Sequence, residues 1–283
     1  MPLTTTADLV GSAASAGRAV LAFNVVTLEQ VEGVLAGAER AGHPVILQVS
    51  ENAVAFHGGR VGALAAACRA VAEDSGARAS LHLDHATDLD LVASAAAHGF
   101  SSVMVDASRL PHDENVAVTA RATRALHEEG LFIEAELGEV GGKDGAHAPG
   151  VRTDPGEAAA FVVATGVDAL AVAVGSSHAM ATRTARLDHD LVARLHDAVP
   201  VPLVLHGSSG VPADELRRAV AAGMTKVNVG TLLGQAFTAA VRERLAADPS
   251  ATDPRRYLRE ARDAVADAVV TTLGEVHGDA PTG

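Results

Sequence analysis

The sequence predicts an α/β chain closed into a (β/α)8 barrel, the TIM-barrel architecture, with an extra C-terminal helix and a single domain over residues 1–283. Three observations carry that expectation. Short apolar runs alternate with helix-patterned segments eight times in order. The runs are apolar nearly throughout, as parallel strands covered on both faces must be. No Gly-x-Gly-x-x-Gly follows the first run, which counts against the competing open, doubly wound sheet and its dinucleotide site.

Taken in order, Ala19–Val25 reads as a strand and Thr27–Ala41 as its helix. Val45–Val49 and Val61–Ser75 form the second unit, and Ala79–Asp84 and Asp88–His98 the third, which stops at Gly99. Ser102–Val105 precedes the helix Asp113–Glu129, with Gly130 behind it. Leu131–Leu137 leads into a long loop, Gly138 to Arg152, and then the helix Asp154–Thr165. That helix has a good N-cap in Asp154 and proline at its first position. Val167–Val174 and Asp188–Ala198 make the sixth unit. Val201–His206 with Ala213–Ala222 and Lys226–Val229 with Leu232–Ala246 complete the eight, and a last helix spans about Arg255 to Leu273.

Composition narrows the function. Hydrophobic residues make up 48% and aromatic residues 2%, with no tryptophan, so the core must be built from Ala, Val and Leu. A net charge of −13 argues against a general nucleic-acid or anionic-membrane surface. The lone Cys68 leaves no internal disulfide. Met1 to Val10 lacks a basic, apolar export pattern, and Gly166-Val167-Asp168 interrupts the most membrane-like stretch, so a cytoplasmic protein is expected.

A barrel should carry its chemistry at the C-terminal ends of its strands. Those ends read Asn24, Ser50, Asp84-His85, Asp106, Glu134 with Glu136, Ser176-Ser177-His178, His206 through Gly210, and Asn228 through Thr231. The centre of interest is Leu81-His82-Leu83-Asp84-His85. Strand alternation puts His82 and Asp84 on one face, with His85 at or just past the strand's end. His85, His178 and His206 close three strands, and three imidazoles with an open fourth position suit a catalytic zinc ion. His82 is expected below them as a supporting partner. Asp84 could bind metal, move protons or orient a ligand. His43, His57, His98, His127, His189, His196 and His277 read as ordinary surface or core imidazoles, and His147 is left open.

Gly207-Ser208-Ser209-Gly210 and Asn228-Val229-Gly230-Thr231 follow strands seven and eight, where barrels commonly bind phosphate through backbone N–H groups and a helix N-terminus. The loop around Gly141-Gly142-Lys143-Asp144-Gly145 is either a lid or a plain surface loop. Lys226 shares a strand face with Asn228; a barrel-lining lysine paired with Glu134 is preferred over a Schiff-base lysine.

These stretches, with Glu134-Ala135-Glu136-Leu137-Gly138, Lys226-Val227-Asn228-Val229 and Asp253-Pro254-Arg255 through Tyr257-Leu258, resemble the class II, zinc-dependent fructose-bisphosphate and tagatose-bisphosphate aldolases. The resemblance runs from about Ala22 to Leu273, at a length close to the tagatose-type branch. It implies a lyase that cleaves or forms a ketose bisphosphate, with zinc polarising the C2 carbonyl and stabilising the dihydroxyacetone phosphate enediolate. His85, His178 and His206 would be the zinc ligands and Asp84 the acid/base at the C4 oxygen. Asp106 and Glu136 match a secondary position for a second divalent metal. Asn24, Ser50, Gly207, Ser209, Asn228 and Thr231 match substrate- or phosphate-contacting positions, beside Ser208 and Gly230 of the same turns. Arg255 matches an arginine that reaches a neighbouring subunit's substrate, which implies a homodimer or homotetramer.

Three departures stand out. The family loop carries a proton-transferring Glu after its paired glycines, where this chain has Lys143 and then Asp144, the nearest candidate for that role. Ala179 replaces the glycine after the strand-six histidine, beside a phosphate or monovalent-cation site. Gly230 stands where many fructose-type members have Asp or Asn. An aldolase for another phosphosugar and a non-catalytic metal or sugar-phosphate binder are the rival readings.

Overall fold

Eight strands, all parallel, close into a barrel in sequence order, β8 returning to pair with β1. They are β1 (Val20–Asn24), β2 (Val45–Ser50), β3 (Ala79–Ala86), β4 (Ser102–Val105), β5 (Phe132–Glu136), β6 (Ala169–Ala171), β7 (Leu203–Leu205) and β8 (Met224–Val229). The structure is a computed structural model, and it describes residues 3–137, 152–176 and 182–278. The predicted (β/α)8 architecture and the extra C-terminal helix are both present.

The pleat sorts each strand's residues between two environments. Leu21, Phe23, Leu47, Leu81, Leu83, Val103, Ile133, Val227 and their like point outward into one continuous core beneath the helices. The alternate residues fill the barrel. Val20, Ala22 and Ile46 close its lower end with Leu9 and Val10, while Met104, Ala169, Ala171 and Val204 pack together inside. Above them the lining turns polar: Gln48, His82, Glu134 and Lys226 are fully buried.

Leu9 and Val10 belong to α1 (Thr6–Ser15), an N-terminal helix capped by the Thr5 side chain on the Asp8 N–H, which the sequence reading did not anticipate. Its Thr6 hydroxyl meets Ser80 at 2.9 Å and Ser102 at 2.7 Å across the floor of the barrel. The outer helices are α2 (Leu28–Ala41), α3 (Glu51–Phe56), α4 (Val61–Asp74), α5 (Leu89–Ser94), α6 (His112–Glu128), α7 (Pro155–Thr165), α8 (His189–Ala198), α9 (Ala213–Ala221), α10 (Thr231–Ala247) and α11 (Pro254–His277). The short α3 was also not anticipated. The helix expected over Asp88–His98 is shorter, as α5 gives way to a 3-10 turn, Ala96–His98, before Gly99. β6 is confined to three residues of a longer apolar run, because Val172, Ala173 and Val174 stay buried but leave the regular ladder.

α11 lies against α2 at close range. A Cβ on Gly33 would stand 2.7 Å from the Arg262 carbonyl oxygen, and one on Gly37 2.6 Å from that of Ala266. Only glycine at both places lets the backbones meet. Among the described residues no helix is long and apolar enough to cross a membrane.

Candidate active site

The upper mouth of the barrel is built around the end of β3. Its pairing with β4 is irregular between Leu83 and Ala86, and His85 takes φ 49, the left-handed region that side chains other than glycine rarely occupy. On a regular strand Asp84 and His85 would face opposite sides. The left-handed step instead brings both to the cavity, at a cost of about 1–3 kcal/mol. Such strain is held where the surrounding contacts over-determine it.

Those contacts are specific. His85 Nδ1 lies 2.8 Å from Asp106 Oδ2, and the other Asp106 oxygen accepts the Ser108 N–H at 3.1 Å and its hydroxyl at 2.7 Å. Burial would raise the Asp106 pKa, but His85 and Ser108 hold it well below the usual carboxylate range. His206 Nε2 lies 2.8 Å from Glu134 Oε1, both side chains fully buried. A carboxylate oxygen accepts, which favours a proton on each imidazole's outer nitrogen, and the Asn228 side-chain nitrogen also stands 3.0 Å from His206 Nε2. The inner nitrogens, His85 Nε2 and His206 Nδ1, then face each other 2.9 Å apart.

Two imidazole lone pairs at that distance repel unless a proton or a cation lies between them. A proton can fill that role. Burial disfavours charge on His85, yet Asp84, Asp106 and Glu136 outweigh it and raise its pKa to about 9. A divalent metal fits the same place, because a carboxylate behind each histidine is the arrangement that orients metal-binding imidazoles. Asp84, His85 and His206 offer ligand atoms within 4.8 Å of one another, and so do His85, Asp106 and Glu136.

Asp84 is 3% exposed, and its two oxygens differ. Oδ2 accepts the Asn24 side-chain N–H at 2.7 Å. Oδ1 is buried with no hydrogen-bond partner among the described residues. The phosphate-type turns are in place beside it. Gly207 has φ 68 and opens a short 3-10 turn, Ser208–Gly210, and the Ser209 hydroxyl accepts the Leu232 N–H at 3.2 Å. Gly230 precedes the N-terminus of α10, and a Cβ there would stand 3.1 Å from Asn24 Oδ1.

Asn24, Ser50, Asp84, His85, His206, Gly207, Ser209, Asn228, Gly230 and Thr231 line one cavity of about 220 Å³. Asp106 and Glu136 stand behind it with His85. The Ser50 hydroxyl also caps α3 on the Ala53 N–H. Ser208 turns its hydroxyl away, donating to the Asn228 carbonyl. Arg255 is not brought to this cavity: its side chain is 85% exposed and paired with Asp253 at 2.7 Å. Asp144, His178 and Ala179 lie outside the described residues.

His82 supports less directly than expected. Its Nδ1 pairs with the Ser102 hydroxyl at 2.7 Å, and it makes no hydrogen bond to Asp84 or His85. Burial and the nearby Lys226 charge hold its pKa well below the usual histidine value. Lys226 is paired with Glu134 at 2.8 Å, as preferred from the sequence, and not poised in the cavity. Gln48 was overlooked. It accepts from Lys226 at 2.7 Å and donates to Asn24 at 3.2 Å. Its signal was there: a lone amide in the apolar run Val45–Val49, two residues before Ser50.

Comparison with known proteins agrees with this geometry. The profile of the family described as Fructose-bisphosphate aldolase class-II matches residues 4–279. A fructose-bisphosphate aldolase of Geobacillus stearothermophilus is 38% identical over 279 residues, covering 97% of each chain. One from Thermus caldophilus is 37% identical, covering 96% of this chain and 97% of its own. Among solved structures, the YdjI aldolase of Escherichia coli K12 superposes with a TM-score of 0.86 at 32% identity, covering 99% of this chain and all 100% of the other. With the whole barrel matched and the cavity residues gathered at its mouth, the chain belongs to the class II fructose-bisphosphate aldolase family.

Proposed function

We propose that the protein cleaves a ketose bisphosphate of the fructose or tagatose 1,6-bisphosphate type to dihydroxyacetone phosphate and an aldehyde, and catalyses the reverse condensation, with zinc as its divalent metal. The observation that carries this reading is the buried Asp84 Oδ1, without a hydrogen-bond partner among the described residues, beside two imidazoles whose inner nitrogens converge. His85 Nε2 and His206 Nδ1 would hold the ion, with His178 as the third ligand by family resemblance. Bound there, zinc supplies Lewis acidity to the ketose carbonyl.

The chain's own groups do the rest. Asn24 holds Asp84 through one oxygen and leaves the other free to take the C4 hydroxyl proton as the C3–C4 bond breaks. The turns Gly207–Ser209 and Gly230–Thr231, with the N-terminus of α10, hold the phosphate of the dihydroxyacetone half. Asp144 returns a proton to C3 in this reading. Asp106 and Glu136, carboxylates beside His85, would hold a second divalent ion by family resemblance. Arg255, exposed and oriented by Asp253, serves the site of a neighbouring copy, so a homodimer or homotetramer is the working form.

Asp84→Asn is the direct test. It keeps the shape of the side chain but cannot accept the C4 proton, so kcat should fall by about 10²–10⁴-fold while zinc content stays stoichiometric. Turnover within tenfold of the wild type would remove Asp84 from the proton transfer.

A further inference from the structure

Lys226 is the feature this mechanism leaves unused. Its ammonium sits inside the barrel, 0% exposed, where an apolar side chain would fill the same space without the cost of burying a charge. It has three N–H donors and meets three acceptors: Gln48 Oε1 at 2.7 Å, Glu134 Oε2 at 2.8 Å and Asn228 Oδ1 at 2.8 Å. The acceptors lead on to cavity groups, two of them to the same histidine. Asn228 lines the cavity and brings its side-chain nitrogen to 3.0 Å from His206 Nε2. Glu134 passes the contact to His206 at 2.8 Å. Gln48 donates to Asn24 Oδ1 at 3.2 Å, and Asn24 donates to Asp84 Oδ2 at 2.7 Å.

The direction of these bonds matters. A side-chain amide can turn either its oxygen or its nitrogen to a neighbour. An ammonium can only donate, so it takes the oxygen of Gln48 and leaves the nitrogen facing Asn24. Asn24 must then present its own nitrogen to Asp84. Asp84, an acceptor, asks for the same orientation, so the lysine end and the carboxylate end of the chain hold Asn24 together. On the other branch, Lys226 holds Glu134 against His206 Nε2, which keeps the ring turned with Nδ1 toward the cavity.

We propose that Lys226 is a positioning residue with two outputs: through Gln48 and Asn24 it holds the donor that meets Asp84, and through Glu134 and Asn228 it holds the His206 ring with Nδ1 toward the cavity. The inference rests on the aldolase reading, because it assigns Lys226 to that reaction's base and metal ligand. It separates into arms that a loosened fold would not reproduce. Gln48→Leu cuts only the first branch. It should lower kcat about 10–100-fold at saturating zinc, with zinc affinity, read by competition with a chromogenic chelator, within about twofold of the wild type. Gln48→Glu has the same shape and still accepts from Lys226, but it cannot donate to Asn24, so it should restore nothing. Lys226→Met cuts both branches and should weaken zinc binding about 10–100-fold as well as lowering kcat. The assignment falls if Gln48→Leu turns over like the wild type, if Gln48→Glu rescues it, or if a folded Lys226→Met binds zinc as tightly as the wild type. If Lys226→Met fails to fold, the two Gln48 variants decide the matter alone. A wild-type protein that binds zinc but cleaves no ketose bisphosphate would overturn the aldolase reading instead, and the zinc arm would still judge the link to His206.

Discussion

At the scale of single residues, the pair Asp84-His85 shows both the reach and the boundary of sequence reading. Alternation along β3 correctly turns Asp84 inward. It says nothing of φ 49 at His85, because a left-handed step at a non-glycine residue leaves no mark in composition. Gln48 was passed over because one amide in an apolar run looks like noise until its two neighbours are known. Gly230 is a sharper case. A Cβ there would press on Asn24 Oδ1 from 3.1 Å, and Asn24 cannot yield, being held by Gln48 at 3.2 Å and Asp84 at 2.7 Å. The displacement would pass to Asp84. Gly230→Ala should therefore lower kcat about tenfold, a loss of about 1.4 kcal/mol of transition-state stabilisation, without loss of bound zinc. Steady-state kinetics beside metal analysis would show it; unchanged kcat would mean that Asn24 has room to move.

At the scale of elements, most strands and helices were legible because their apolar periods differ and their ends carry recognisable caps. Asp154 with Pro155 starts α7, and the capping box of Thr27 and Gln30 starts α2. What escaped were the pieces whose role is tertiary. α1 closes the lower end of the barrel and α3 spans only six residues, so neither shows a long amphipathic period. The fit of α11 on α2 depends on Gly33 and Gly37, which in isolation read as weak points of a helix. Another tertiary tie is Glu215 on α9, 2% exposed, which accepts from the Leu187 N–H at 2.9 Å and from His189 and Arg186. The Leu187 N–H first, and these side chains with it, hold its carboxyl below the ordinary value. A depressed carboxyl pKa stabilises the fold above the unfolded value of about 4.3 and loses that contribution as pH falls through the folded one. Glu215→Gln should cost about 1–3 kcal/mol at pH 7, read as a lower Tm. The gap to the wild type should close as the pH drops below about 4, and a gap that persists or widens in acid would show that the charge is not what Glu215 contributes.

At the scale of the whole molecule, the barrel explains why residues far apart in sequence meet. Asn24, Asp84 and Asn228 come from three strands and His206 from the residue after a fourth, and closure of the sheet brings them to one mouth. That gathering could be expected from eight repeats and the polar residues that end them. The resemblance to class II aldolases added roles that spacing alone left open, above all for Asp84. It did not reveal the buried lysine network, since nothing in a motif shows which way an amide faces. The most direct measurement is release of dihydroxyacetone phosphate from fructose and tagatose 1,6-bisphosphates, before chelation, after it, and after zinc is returned. Cleavage should vanish with the metal and come back with it. Full cleavage in the presence of chelator, with borohydride trapping substrate on Lys226, would contradict the zinc mechanism and point to a Schiff base.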